Sequence, residues 1–352
     1  MTKFIKIVKY FLEKGKLLLI FITRIIFAKR NFKAPYLKTL YYNFTRGFIS
    51  DQLVIYNINK KNEDQYLSEF DWYRSRKIND PYNNMVNNKV ICNEMLKQYV
   101  KVPNTLVIKT RKRLTSFNNE FKTYDDVIKM IKKEKKVFIK PIAAGKGKGV
   151  CLIEYKNSTF YVDDVLKGEE ELKKYLVKND GWFLSETIKQ SDYLNSLYDK
   201  TTNTIRFITM KDPKTGDFKL FFAVQRIGTK KTIPVDNGSR GGLVSKIDIE
   251  TGELSVAKSL HTLESYTNHP DSNSPIEGVK IPNWPKIKDE MLSLANKFPF
   301  LTFIAWDILI TDEKEVCIIE ANTSSGVNII QIWGGQRQGE LGEFYRHHKI
   351  IK

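Results

Sequence analysis

Residues 303–310 read FIAWDILI and residues 316–322 read VCIIEAN. Both runs are short, apolar and rich in β-branched side chains. The polar link Thr311-Asp312-Glu313-Lys314-Glu315 has the composition of a turn, so the pair predicts a β-hairpin. Placing Glu313–Lys314 at the centre of the turn sets Asp307 directly opposite Glu320. Asn322, two residues further on, projects from the same face. An odd-length turn would instead send the two acids to opposite faces. Carboxylates at cross-strand distance repel each other, and a bound cation removes that repulsion. Asp, Glu and Asn oxygens suit Mg²⁺, which takes one or two carboxylates and completes its shell with water and phosphate. Asp307, Glu320 and Asn322 are therefore candidate metal ligands. The plainer alternative leaves Glu320 in solvent at the strand end and pairs Asp307 with a nearby arginine.

Upstream, Lys140-Pro-Ile-Ala-Ala-Gly145-Lys146-Gly147-Lys148-Gly149-Val150 lies between two strand-like runs, VFIK (137–140) and VCLIEY (150–155). Closely spaced glycines let backbone N–H groups approach an anion, and Lys140, Lys146 and Lys148 add charge. The G-x-x-x-x-G-K-[ST] pattern is absent and a strand rather than a helix follows, which excludes a Walker loop and a Rossmann fingerprint. The alternative is a flexible, exposed hairpin tip.

Helices are expected at 120–135, with Tyr124, Val127, Ile128 and Ile131 on one face, at 168–178, and at 284–298 behind Pro282 and Pro285. Further strands are expected at 182–185, 204–210, 218–226 and 241–249. Residues 35–105 predict helices near 62–77 and 88–100 and no sheet. This order predicts an α+β fold with antiparallel hairpins rather than a βαβ series. There is no internal repeat.

The chain has 352 residues, 41% of them apolar and 12% aromatic, enough for a large core with two or three subdomains and too apolar for disorder. Its formal net charge is +18, of which +10 sits in residues 1–49, where eleven Lys/Arg face the single acid Glu13. A nucleic-acid binder spreads basic residues over a folded face, so the tail and not the body raises the question of a partner. Within it, KLLLIFITRIIFA (16–28) is the most apolar stretch. Arg24 interrupts it and no small-residue cleavage site follows, unlike a secretory signal. It also falls short of the roughly 20 apolar residues of a spanning helix. The upstream alternation of Phe4, Ile7, Val8 and Phe11 with Lys3, Lys6 and Lys9 fits a basic amphipathic helix. Such a helix either lies in an anionic interface or packs on the protein's own core. Cys92, Cys151 and Cys317 are too scattered for a disulfide framework, which implies a reducing compartment. The histidines lack metal spacing, and Arg337–Lys352, including His347–His348, reads as a polar surface tail.

Taken together, these motifs resemble the ATP-grasp superfamily. Lys140-Pro and the glycine loop resemble its phosphate-binding hairpin. Asp307, Glu320 and Asn322 resemble its D…E-x-N magnesium triad, and Ser185-Glu186-Thr187-Ile188 resembles the segment that joins the lobes and holds adenine. Asn88-Lys89 with Val102-Pro103 resembles the region supplying the first ATP lysine, although Asn88 stands where an acid is usual. The ordered series Asn203-Thr204-Ile205-Arg206, Arg226-Ile227-Gly228, Val235-Asp236-Asn237, Gly241-Gly242, Ile281-Pro282-x-Trp284 and Trp306-Asp307 resembles the sugar-transfer-associated ATP-grasp family, linked to cell-surface polysaccharide synthesis. The likeness covers about residues 85–335, and no Rossmann-like domain is evident before it.

The resemblance implies two α+β lobes with antiparallel sheets gripping ATP. The expected segments are a basic amphipathic and apolar stretch (1–34), a helical or mixed region (35–105), a small lobe (106–186), a large lobe (187–335) and the tail (336–352). It implies a carboxylate–amine ligase working through an acyl phosphate, for example joining an amino acid to a sugar in a polysaccharide precursor. Lys89, Lys140, Gly145, Lys146, Gly147, Lys148 and Gly149 would hold the phosphates, and the backbone around Phe183, Ser185 and Glu186 would receive adenine. One or two Mg²⁺ ions, or Mn²⁺ in their place, would sit on Asp307, Glu320 and Asn322. Arg226, with Arg206 and Arg240 as alternatives, would meet the transferred phosphoryl group. Asn195–Asn203, Asp236 and Asn237 line the acceptor site or form ordinary loops. The implied partners are ATP, a carboxylate, an amine or sugar acceptor, and an anionic membrane surface through residues 1–33, with no nucleic acid. The implied location is cytoplasmic, peripheral on the inner face of the membrane. A sugar-alcohol phosphotransferase and a non-catalytic nucleotide-binding factor are the competing functions.

Overall fold

The computed structural model describes residues 2–118, 121–142 and 149–352. Gly145, Lys146, Gly147 and Lys148 of the glycine loop lie outside the described residues.

The chain opens with α1 (Thr2–Ile20), which runs on as a π-helical turn, Phe21–Ile26. Then follow α2 (Tyr36–Arg46), α3 (Ser50–Ile55), α4 (Glu69–Ser75), α5 (Asn83–Asn87) and α6 (Lys89–Leu96). The first sheet comprises β1 (Thr105–Thr110), β2 (Arg113–Thr115), β3 (Lys136–Pro141), β4 (Cys151–Lys156), β5 (Thr159–Val162), β6 (Val165–Lys167) and β7 (Trp182–Glu186). Helices α7 (Tyr124–Glu134) and α8 (Glu169–Lys178) cover one face of it. After α9 (Asp192–Leu197) the second sheet is built from β8 (Ile205–Lys211), β9 (Phe218–Ile227), β10 (Leu243–Ile247), β11 (Leu254–Ser259) and β12 (Ser265–Tyr266). Helix α10 (Trp284–Asn296) precedes its last strands, β13 (Phe303–Ile310) and β14 (Val316–Asn322). Helices α11 (Val327–Gln331) and α12 (Glu340–His347) close the chain.

The strand orders are β2-β1-β7-β3-β4-β5-β6 and β12-β11-β10-β9-β8-β13-β14. Every ladder within the two sheets is antiparallel, as an α+β fold of hairpins requires. Helix α7 shows how local sequence specifies an element. Thr123 and Asp126 form a capping box at its start, and Val127, Ile128 and Ile131 bury one stripe against the first sheet. All eight residues of β13 are buried, because β8 and β14 flank it and helices cover the sheet.

The hairpin differs from the expectation in a way that matters for the site. Its loop is Asp312-Glu313-Lys314, odd in length, closed by Thr311 N to Glu315 O (2.9 Å) and Lys314 N to Thr311 O (2.9 Å). Near the turn Ile308 pairs with Ile318, a register that would set Asp307 opposite Ile319. A β-bulge at Ile319 inserts the extra residue, so Asp307 does pair with Glu320, and Ala305 pairs with Asn322.

Three other expectations are corrected. Residues 35–105 hold three unanticipated helices, α2, α3 and α5, and the helix expected at 62–77 is only a 3₁₀ turn (Glu63–Gln65) followed by α4. Strands β1, β2, β5, β6, β11 and β12 were not anticipated, being short or strongly polar. The stretch Arg337–Lys352 is not a surface tail. Leu341, Phe344, Tyr345, Ile350 and Ile351 are buried against Ile208, Met210, Phe222 and Phe303 of the second sheet. The spacing of Leu341, Phe344 and Tyr345 is a helical stripe, outweighed in composition by its polar neighbours. At the other end, Phe11, Leu12, Leu18 and Leu19 of α1 are exposed, and burial begins with Ile25. Those four side chains are not packed on the core. Among the described residues no helix is long and apolar enough to cross a membrane.

Candidate active site

A cavity of about 140 Å³ opens between the two sheets. Its charged lining is balanced, with Lys89, Lys140, Arg206 and Arg226 against Glu186, Asp236, Asp307 and Glu320. Pro103, Phe138, Val150, Ile188, Leu309 and Ile319 form an apolar wall.

Asp307 occupies the centre of β13 and is 5% exposed. Arg206 is its direct neighbour on β8, and Arg226 reaches it from β9. Arg206 Nε donates to Oδ1 (2.5 Å) and Nη2 to Oδ2 (3.1 Å), while Arg226 Nη1 donates to Oδ2 (2.9 Å). Burial raises the Asp307 pKa, but the two guanidiniums outweigh it and hold the group below the usual carboxylate range. Arg226 Nη2 also donates to Asp236 Oδ1 (2.5 Å), so one guanidinium bridges two buried acids. Asp236 Oδ2 accepts from Thr204 N (2.7 Å) and Oγ1 (2.5 Å). Burial nonetheless pushes the Asp236 carboxyl up, against the pull of Arg226.

Lys89 reaches the cavity from the first turn of α6, and its Nζ lies 2.7 Å from Glu320 Oε1. The Asn88 side chain caps that helix by accepting from Val90 N and Ile91 N. Lys140 ends β3 opposite Phe183 of β7, with Nζ 3.3 Å from Ser185 Oγ. Burial, with Lys89 adding to it, lowers its pKa to about 8. Gly149 has φ +77°, a conformation that glycine adopts without strain.

The expected residues divide as follows. Lys89, Lys140, Glu186, Arg206, Arg226, Asp307, Glu320 and Asn322 all line the one cavity, and Asp236 and Asn237 join them. Ser185 touches the site only through Lys140. Phe183 is not among the lining residues: its ring is buried with Val90 and Ile108, although as the cross-strand partner of Lys140 it shares the sheet face that carries Lys140 and Phe138. Arg240 is exposed on the 3₁₀ turn Gly238–Arg240 and is not part of the lining. Asn203 is a structural residue, with Oδ1 accepting from Gly228 N and Thr201 Oγ1 and Nδ2 donating to two carbonyls. The apolar wall went unpredicted, although strand alternation puts Phe138 beside Lys140 and Leu309 beside Asp307.

Among the described residues no three His, Cys, Asp or Glu side chains gather as a metal group. The oxygens of Asp307, Glu320 and Asn322 share one cavity, and their chemistry fits a hard divalent cation with phosphate completing the shell. Both carboxylates already hold cationic side chains, so the arginine pairing weighed as an alternative is present, doubled.

Residues 72–340 match the sugar-transfer-associated ATP-grasp family. The chain belongs to that family. It is thus an ATP-grasp protein. Three solved ATP-grasp structures are similar to it. The ADP complex of the N5-carboxyaminoimidazole ribonucleotide synthetase purK is 11% identical over 70% of this chain and 46% of that one, with a TM-score of 0.39. The Thermotoga maritima synthetase of the same name is 10% identical over 78% and 49%, with a TM-score of 0.37. The ligase PsnB, solved with a minimal precursor, Mg and ADP, is 12% identical over 71% and 54%, with a TM-score of 0.38. This chain spans about half the length of each. No curated protein matches it.

Proposed function

We propose that this ATP-grasp protein is an ATP- and magnesium-dependent carboxylate–amine ligase that forms an acyl phosphate and modifies a cell-surface polysaccharide precursor, for example by joining an amino acid to a sugar. The observation that carries this reading is the cavity between residues 106–186 and 187–335, the two lobes, which Lys89 and Pro103 also line. It combines an apolar wall, two lysines, two arginines and an oxygen-donor set.

In this reading Lys89 and Lys140 neutralise the phosphate chain, and the wall of Phe138, Val150, Ile188 and Leu309 takes the base. Asp307, Glu320 and Asn322 hold Mg²⁺, which neutralises charge as the γ-phosphoryl group moves. Arg226 meets the transferred phosphoryl oxygens, and Arg206 is its neighbour for the carboxylate. Asp236 keeps Arg226 aimed. The glycine loop excludes water and protects the acyl phosphate from hydrolysis. The basic segment 1–33 keeps the enzyme peripheral on the inner face of the membrane, beside a lipid-linked substrate.

The test is ADP release from MgATP with hydroxylamine present, across amino acids and uronic-acid sugars, with Asp307→Asn as control. Carboxylate-dependent ADP and hydroxamate, both lost in the variant, are expected. ADP that depends on a sugar alcohol, without hydroxamate, would replace the ligase by a phosphotransferase. ATP binding without turnover on any acceptor would point to a nucleotide-binding factor.

A further inference from the structure

A second cavity, of about 290 Å³, lies away from the nucleotide site, where the π-helical turn, α2, α4 and Arg337 meet. Its polar side is layered. The carboxylates of Glu63 and Asp71 are deep, 9% and 6% exposed, and the guanidiniums of Arg46, Arg74 and Arg337 stand in front of them, at 33%, 33% and 21%. Arg46 donates to Glu63 (3.0 Å) and Asp64 (2.6 Å), Arg74 to Asp71 (2.5 Å) and Arg337 to Asp71 (3.2 Å). A guanidinium carries five N–H donors, so these bonds leave most of the donors of the three arginines for another acceptor. Arg74 Nε has no partner among the described residues. Among the residues lining the cavity the guanidiniums are the more exposed and the two carboxylates the deeper, while the exposed Asp64 lies outside the lining.

The other side is aromatic. Phe21 lies 5.8 Å from Phe44 and 5.2 Å from Phe70, ring centre to ring centre, and all three line the cavity. Phe44 is 64% exposed, the helical spacing of Leu37, Tyr41 and Phe44 puts three exposed apolar side chains on one face of α2, and Leu18 and Leu19 of α1 are exposed as well. A free anion makes no use of such an exit, and a plain hydrocarbon makes no use of the arginines. The chemistry that satisfies both is an amphiphile with a phosphate head, whose several oxygens match guanidinium forks.

We propose that this cavity binds the phosphate head of a single lipid-like molecule, whose hydrocarbon chain leaves over Phe21 and Phe44 onto the exposed apolar face of α1 and α2. The proposal rests on the membrane part of the proposed function and is independent of the ligase chemistry. It places a lipid phosphate next to the element, α4, that begins the family-matched region.

The test is calorimetric titration of the full-length protein with dodecyl phosphate below its micelle concentration. Inorganic phosphate and dodecyl maltoside are the head-only and tail-only probes. The variants are Phe44→Ser, at an exposed position, and Arg337→Lys, which keeps the charge and loses the fork. Thermal melting checks their fold, and ATP binding checks that the nucleotide site is unaffected. One dodecyl phosphate per chain is expected, at least tenfold weaker in each folded variant, with both single-feature probes a hundredfold weaker. Equal binding by wild type and a folded variant, inorganic phosphate binding as tightly as dodecyl phosphate, or no binding at all would each overturn the proposal. Sedimentation of the full-length protein with anionic vesicles reads the membrane association separately, so either reading can fail alone.

Discussion

Arg226 is held between two buried acids, Asp307 and Asp236, and the second of these has no counterpart in the metal set. A guanidinium gripped on one side only can rotate, so Asp236 acts as a positioning residue. Asp236→Asn keeps the volume and the bond to Thr204 but loses the ion pair. The expected result is a kcat lower by about 10²-fold with ATP affinity within about threefold of wild type, read by steady-state kinetics and calorimetry. A fall in ATP affinity equal to the fall in rate would make the residue merely structural. Lys140 gives a pH signature. Its pKa is lowered to about 8 from an ordinary 10.5, and nucleotide phosphates favour its charged form. ATP affinity is therefore expected to be flat below pH 8 and to fall by up to about tenfold per unit above it, with that dependence absent in Lys140→Met. Stability moves the other way. Between pH 8 and 10.5 the unfolded chain binds more protons at this group than the folded one, so Lys140 contributes a stability gain as pH rises through that window. Lys140→Met abolishes the gain and melts higher than wild type at pH 7, measured by calorimetric unfolding.

At the scale of elements, the β13–β14 hairpin brings Asp307 and Glu320 together through two compensating irregularities, an odd loop and a bulge. Lys314 closes the loop with φ +62°, a left-handed conformation that costs a lysine about 1 kcal/mol and a glycine little. Lys314→Gly is expected to leave ATP binding unchanged and to raise the melting temperature by a few degrees. Helix α12 makes the opposite case. Phe344 is 1% exposed on the second sheet, and Phe344→Ala is expected to cost about 3–5 kcal/mol in urea unfolding, a loss that no surface tail would show. These two elements mark what was legible in the chain. The hairpin's strands are continuous apolar runs, so their ends and the pairing of the acids could be read directly, even though the turn was placed one residue out. The bulge is invisible because nothing in Ile318-Ile319 distinguishes the paired residue from the extra one. Helix α12 was missed because glutamate, arginine and histidine dilute an apolar stripe that only the 3.6-residue period reveals. The lysines and carboxylates of the site were readable from their contrast with apolar surroundings. Phe138, Val150, Leu309 and Ile319 were not, because an apolar residue lining a cavity looks the same in sequence as one filling a core. Phe183 shares its sheet face with Lys140, but its ring is buried with Val90 and Ile108, a packing that its neighbours in sequence do not reveal.

Across the whole molecule, charge and apolar exposure are partitioned together. The cavity between the sheets is balanced, four cationic side chains against four acids, whereas residues 1–49 carry +10 of the chain's +18. Half of the large apolar side chains exposed among the described residues, from Val8 to Phe44, fall in the same short segment. Neither feature belongs to the cavity between the sheets, and among the described residues α1 makes its main contacts with the π-helical turn that follows it. A basic, greasy helix that leaves its own core uncovered gains most by lying in the headgroup region of an anionic bilayer, where each lysine near the surface contributes about 1 kcal/mol. The full-length protein is therefore expected to sediment with phosphatidylglycerol vesicles and not with neutral phosphatidylcholine vesicles. It should release as salt rises and the Debye length contracts from about 10 Å at 0.1 M. Replacing Lys3, Lys6, Lys9 and Lys16 together by glutamate removes the charge and leaves every apolar side chain in place, so binding to the anionic vesicles should be lost while ATP binding persists. Binding of the wild type to polynucleotide with the same salt dependence, and not to vesicles, would transfer the basic segment to a nucleic-acid partner. Equal binding to both vesicle types would show that apolar contact alone holds the chain and that the clustered lysines serve something else.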